Sequence, residues 1–209
     1  MSVSPSRQPP REEVLAYRLH GNCYLNITYH CTLRCAFCPK FNRTWEVRDY
    51  DLLLTREPSA EEVLAAIGDA SADKEMVFCG LGEPTLNLPV LLEVARELQG
   101  QGKRVRLNTD GLANLVYGRD VTPELAAVVD AVSISLNAQD ATTYERHCRP
   151  KVEGAFDAAQ DFARQAREAG MDVTLTAIDG LEGVDIAACE RIASALGAGF
   201  RRRVLNVVG

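Results

Sequence analysis

Short runs rich in β-branched and aromatic residues alternate with amphipathic stretches of helical length along most of the chain, and this alternation constrains the fold more than any other feature. It is the order of βα units wrapped around a parallel sheet. Six strands are predicted, at about residues 22–28 (NCYLNIT), 75–79 (EMVFC), 104–109 (RVRLNT), 131–136 (AVSISL), 172–177 (DVTLTA) and 203–208 (RVLNVV), with five helical stretches in the gaps. Ser59 and Glu62 have the spacing of a capping box. Asn87 and Thr122 read as N-caps, with Pro89 and Pro123 in the turns that follow. The longest crossover, residues 140–170, has room for a short helix before a main one at about 154–169, which Gly170 stops.

Within the strands, side-chain parity separates two faces. Leu25 and Ile27 oppose Asn26 and Thr28; Val105 and Leu107 oppose Arg106 and Asn108. Val132, Ile134 and Leu136 oppose Ser133, Ser135 and Asn137, and Val173 and Leu175 oppose Thr174 and Thr176. Parallel strands covered by helices on both faces read as near-continuous apolar runs, and a closed barrel fills its interior with Val, Ile and Leu. Neither pattern is present. The expected architecture is an incomplete (β/α)6 TIM-like barrel of parallel strands, with helices outside and a polar concave face suited to a polar ligand.

A chain of 209 residues can bury about 70% of its unfolded surface, so it needs no covalent staples. Residues 1–20 are read as a flexible tail and residues 21–209 as a single domain. The tail begins MSVSPSRQPPREE, without the apolar core of a secretory signal. Apolar runs are too short to cross a bilayer. A cytoplasmic location follows as the expectation, and in that reducing compartment seven cysteines point to metal or redox chemistry. A net charge of -6 disfavours nucleic acid as a partner.

Three of the thiols sit in the run HCTLRCAFCP, directly after the first strand, where the loops of a βα barrel build sites. Cys31, Cys35 and Cys38 form C-x3-C-x2-C with no evident fourth partner. A structural zinc site wants four closed ligands, which His30, Cys79 or Cys148 would have to complete. An iron-sulfur carrier also prefers four thiolates. Three protein ligands instead leave one metal position open, as a catalytic site does.

The motif, with Phe37 as its aromatic, resembles the signature of the radical S-adenosylmethionine (radical SAM) enzymes, C-x3-C-x-aromatic-C. By that resemblance Cys31, Cys35 and Cys38 hold three irons of a 4Fe-4S cluster, and S-adenosyl-L-methionine chelates the fourth. Later segments agree in order. CGLGEPT resembles the family's GGEP motif, with Leu81 in place of the first glycine; it implies that Gly82, Glu83 and Pro84 bind the cofactor's ammonium end. NTDG, beginning at Asn108, and SISLNA, carrying Ser135 and Asn137, resemble segments that line the cofactor at the next strand ends. Asp110 and Gly111 read equally well as an ordinary turn.

The resemblance covers about residues 21–209, and the GxGEPT form, SLNA, the later CRP and the terminal arginine-rich strand are similar to a small subgroup, the TatD-associated radical SAM proteins. It implies reductive cleavage of S-adenosylmethionine to a 5'-deoxyadenosyl radical, a one-electron reductant such as flavodoxin or ferredoxin, and a polar small-molecule or peptide substrate, with glycyl-radical activation as one version. The alternative is a noncatalytic zinc or iron-sulfur scaffold. Cys148 reads as a packed or substrate-facing thiol, Cys23, Cys79 and Cys189 as core residues, and His30 and His147 as neighbours able to tune a cluster. Arg201 and Arg203 share a strand face, from which one could bind a carboxylate or phosphate.

Overall fold

The computed structural model describes residues 13–42 and 44–205. Its centre is a seven-stranded sheet in the order β1-β2-β5-β6-β7-β8-β9. Six of these strands are parallel neighbours: β2 (Asn22–Leu25), β5 (Met76–Phe78), β6 (Val105–Thr109), β7 (Ala131–Ser135), β8 (Asp172–Asp179) and β9 (Gly199–Val204). Chain order and spatial order coincide, as in a partial TIM-like barrel.

Two differences from the sequence reading concern strands. The last strand is Gly199–Val204, earlier than the predicted 203–208, and residues 206–208 lie outside the described residues. The segment assigned to a flexible tail contains β1 (Ala16–Leu19), which pairs antiparallel with β2 through a turn at His20 and Gly21, both at positive φ. Its four residues, AYRL, fell below the length at which alternation is recognisable. A small hairpin, β3 (Glu46–Val47) with β4 (Tyr50–Asp51), was also missed for its brevity.

Helices fill the crossovers. Helix α1 (Ala60–Ile67) starts at the expected capping box: Ser59 Oγ accepts from Glu62 N at 3.2 Å, and Ser59 N donates to Glu62 Oε2 at 2.9 Å. Helix α2 (Leu88–Gly100) begins after Asn87, but that side chain does not cap it. Its Nδ2 instead donates to the Ile27 carbonyl at 3.0 Å, fastening the second crossover to the end of β2. The third crossover holds α3 (Ala113–Tyr117) and α4 (Thr122–Ala126). There Asp120 Oδ1, rather than Thr122, accepts from the helix's first free amide, Thr122 N. The fourth holds α5 (Ala141–Cys148) and α6 (Ala155–Glu168), which ends before Gly170 at φ +95°; α7 (Ile186–Ala195) completes the layer.

The apolar parity of the strands faces these helices. Leu25, Ile27, Val105, Leu107, Val132, Ile134, Leu136 and Leu175 all join one core with Val63, Leu91, Leu98 and Phe162. Across the register, Asn108 partners Ser133, Ser133 partners Thr174, and Ser135 partners Thr176. The polar parity therefore runs continuously over the other face of the sheet. Among the described residues no helix is long and apolar enough to cross a membrane.

Candidate cofactor site

The parallel strands all end on one edge, and the polar segments meet there. The loop after β2 carries Cys31, Cys35 and Cys38, each half-buried. Its shape is set by hydrogen bonds from outside itself. Arg34 N donates to the Cys148 carbonyl at 3.0 Å and Ala36 N to the His147 carbonyl at 2.8 Å, so the free C-terminal carbonyls of α5 are satisfied by the cysteine loop. Lys151 Nζ donates to the Cys31 carbonyl at 2.7 Å, and Lys151 N to the Thr32 carbonyl at 3.0 Å. Leu33, Phe37, Cys31 and Cys35 pack against Leu112, Tyr144, Cys148 and Ala155.

The thiols feel one another. Cys35 lies near enough to both Cys31 and Cys38 to raise their thiols. Burial, with Asp110 nearby, pushes the Cys31 thiol well above its ordinary range; contact with the Cys148 thiol, then burial, does the same to Cys35, and burial raises Cys38. A protein group that stays neutral without a metal becomes a thiolate ligand when a cation arrives and its proton leaves. Among the described residues no three His, Cys, Asp or Glu side chains close around a single ion.

Opposite the thiols, the GLGEP turn lies against the end of β2. A Cβ at Gly82 would sit 2.7 Å from the His30 carbonyl oxygen and closer still to that of Thr28, so only glycine fits. At Gly82 the close approach is to the chain's own backbone. Pro84 is buried and opens a 3-10 turn, Pro84–Asn87.

Glu83 is 3% exposed and accepts four hydrogen bonds: from Thr85 N (3.0 Å), Thr85 Oγ1 (2.7 Å), Thr109 Oγ1 (2.8 Å) and Asp110 N (2.7 Å). It thereby joins the end of β5 to the end of β6. Asp110, which the sequence offered either within the NTDG segment or as an ordinary turn residue, is 5% exposed, accepts from Leu112 N at 3.0 Å and from Thr32 Oγ1, and lies against Glu83. Burial, then the Glu83 charge, raises its carboxyl well above the usual range. Among the described residues no Lys, Arg or His side chain pairs with either acid. Asp110's burial is a tertiary property with no local signal.

Asn137 closes the site after β7. It is 2% exposed and holds φ +59°, a left-handed value unusual for a residue with a side chain. Its amide donates to the Thr176 carbonyl at 3.0 Å and its Nδ2 to Cys148 Sγ at 3.7 Å, while its Oδ1 has no partner among the described residues. Ser135 is half-buried beside Thr176. Asn108 is also half-buried and accepts from Arg106 at 2.6 Å.

The weaker candidates separate. Cys148 is fully buried at Cys35 and is not open to a substrate. His147 is buried with its Nε2 2.8 Å from the Glu182 carbonyl, while His30 is exposed with its ring tilted against Tyr29. Cys23 and Cys189 are fully buried core residues. Cys79 is half-buried on the concave side.

The family model of the Radical SAM superfamily matches residues 25–196, and the chain belongs to that superfamily. A curated relative from Pyrococcus furiosus, the tungsten-containing aldehyde ferredoxin oxidoreductase cofactor-modifying protein, is 33% identical over 119 residues, covering 54% of this chain and 30% of that protein. The chain thus spans under a third of that relative's length. Among solved structures, a radical SAM methyltransferase from Sphaerobacter thermophilus shares the fold at TM-score 0.58 and 18% identity, over 90% of this chain and 68% of that one. Streptococcus suis SuiB bound to its precursor peptide SuiA does so at TM-score 0.67 and 14% identity, over 88% and 39%.

Proposed function

We propose that this chain is a radical SAM enzyme in which Cys31, Cys35 and Cys38 ligate three irons of a 4Fe-4S cluster and S-adenosylmethionine completes the fourth. One observation carries the reading: the loop after β2 places three half-buried thiols at the C-terminal edge of a parallel sheet, above its polar face. The residues present suit the groups. Two buried carboxyls without a cation and an unpartnered buried amide oxygen are what a ligand carrying an ammonium and hydroxyls would satisfy. When bound, the reduced cluster and S-adenosylmethionine supply a 5'-deoxyadenosyl radical able to abstract hydrogen from a substrate.

The chain's own residues do the rest. Glu83 holds the ends of β5 and β6 together, so that its carboxyl and that of Asp110 would be the groups available to hold the cofactor's ammonium. Asn137 fixes the end of β7 and offers its Oδ1 as an acceptor. Phe37 and Tyr144 shield the thiol loop from water. A one-electron reductant such as flavodoxin or ferredoxin is the implied partner.

The substrate is a polar small molecule or peptide. SuiB is seen bound to a precursor peptide, and the Pyrococcus relative is named for modifying a cofactor; either class fits a wet concave face, as does glycyl-radical activation. The likeness to TatD-associated proteins belongs to the same reading.

The test is anaerobic reconstitution with iron and sulfide, reduction, addition of S-adenosylmethionine and quantification of 5'-deoxyadenosine beside Cys35→Ala. Product only from the unmutated chain supports the proposal. An intact reduced cluster that yields none overturns it in favour of a scaffold.

A further inference from the structure

Resting on that reading, we propose that Arg201 and Arg203 on β9 form an anion subsite that takes a carboxylate or phosphate group of the substrate. The two residues alternate with Arg202, so they share a face, and the register fixes which one. Arg201 partners Thr176, which partners Ser135, on the polar concave side; Arg203 partners Ile178 one step nearer the cofactor edge. Arg202 points the other way and is occupied by Asp179. Among the described residues neither Arg201 nor Arg203 has a carboxylate or carbonyl partner.

Their charges reach inward across the barrel. The Arg201 guanidinium is acted on by Arg106 from β6 and by Tyr24 from β2, and Arg203 and Arg106 both act on Cys79 at the end of β5. Burial, then Arg106 and Arg203, lower the Arg201 pKa. Arg106 is balanced by Glu75 at 2.9 Å and Asn108 at 2.6 Å, so the uncompensated charge belongs to the β9 pair. Arg201 is exposed and Arg203 half-buried, and two like charges on one strand face repel, so an anion placed between them reverses the sign. Guanidinium forks match carboxylate and phosphate oxygens in geometry as well as charge. The chain as a whole carries -6, so this is a local feature and not general basicity. Thr176 and Ser135 put hydroxyls beside it.

The experiment uses the cluster-loaded protein under anaerobic conditions, at constant ionic strength, with phenylglyoxal as the arginine reagent and tandem mass spectrometry to localise modification. Inorganic phosphate and acetate are titrated separately. Saturating protection of Arg201 and Arg203 by one or both, about tenfold at ligand near ten times its Kd, with none at Arg119 or Arg164, supports the subsite and shows which group it prefers. Equal modification with and without either anion overturns it. S-adenosylmethionine binding is then measured for Arg201→Gln/Arg203→Gln: unchanged affinity is expected, and a loss parallel to the loss of protection means the arginines serve the cofactor's carboxylate, which also overturns it. A preparation that shows protection but forms no 5'-deoxyadenosine would sink the radical reading while leaving the anion site in place.

Discussion

At the scale of single residues, the acids behind the thiols are the least expected feature. Asp110 is buried beside Glu83 without a cation, and the fold raises its pKa. A group raised in this way favours folding while protonated; its contribution is complete below the ordinary carboxylate value of about 4 and is lost as pH climbs through the folded value. Asp110→Asn keeps acceptance from Leu112 N and can donate toward Thr32 or Glu83. The cluster-free variant should therefore melt higher than the unmutated protein at pH 8. The gap should close near pH 4, and an equal melting temperature at pH 8 would refute the charge argument. Cys148 allows a second test, because its thiol meets Cys35 yet the proposal gives it no iron. Cys148→Ala should retain about 4 irons per chain after reconstitution, whereas Cys35→Ala should not; iron loss in both would make Cys148 a ligand.

Between residue and fold, single elements carry the site by holding the segments on either side of it. Gly82 shows this most sharply. The turn it belongs to presses on carbonyl oxygens of the β2 end, and backbone atoms cannot swing aside as a flexible side chain would. Gly82→Ala should cost about 3 kcal/mol, at the upper end for overpacking, and should shift the cysteine loop, because Glu83 N donates to the His30 carbonyl at 2.7 Å just before Cys31. Chemical denaturation and reconstituted iron content would measure the two effects. Stability with full iron incorporation would show that the turn yields freely. Helix α1 depends on its cap at its first turn. Ser59→Ala should cost about 1 kcal/mol. Its partner Glu62, held at about 2 by Arg56 and the Ser59 amide, supports the helix above the ordinary range near 4.5 and stops doing so as pH falls through about 2. Amide exchange in α1 should speed up over that acid window while exchange in α6 does not.

For the whole molecule, the strand order, the polar face and the segments around the thiols were legible because each rests on periodicity or on a contiguous motif. The parity of AVSISL needed only the strand's own period of two. What stayed hidden depends on distant partners: the burial of Asp110, the meeting of Cys148 with Cys35, and the diversion of Asn87 to Ile27. The N-terminal boundary was misread for a similar reason, since four residues of alternating sequence mean little until a partner strand is known. In the structure one of those residues is buried and another ties the strand to α1. Tyr17 is 4% exposed, stacks on Tyr24 at 5.3 Å between centroids and donates from its hydroxyl to the Cys79 carbonyl at 3.3 Å. Arg18 bridges to Asp73 at 2.9 Å and caps the end of α1 through the Ile67 carbonyl. A chain beginning at Gly21 loses all of this and uncovers the edge of β2, the strand that delivers the cysteine loop. Loss of the buried aromatic alone costs roughly 3–5 kcal/mol, a large share of the stability of a domain this size. The truncated chain should show a much lower denaturation midpoint and diminished iron incorporation. An unchanged midpoint would mean that β1 is an ornament on the barrel and that the boundary at residue 20 is correct after all.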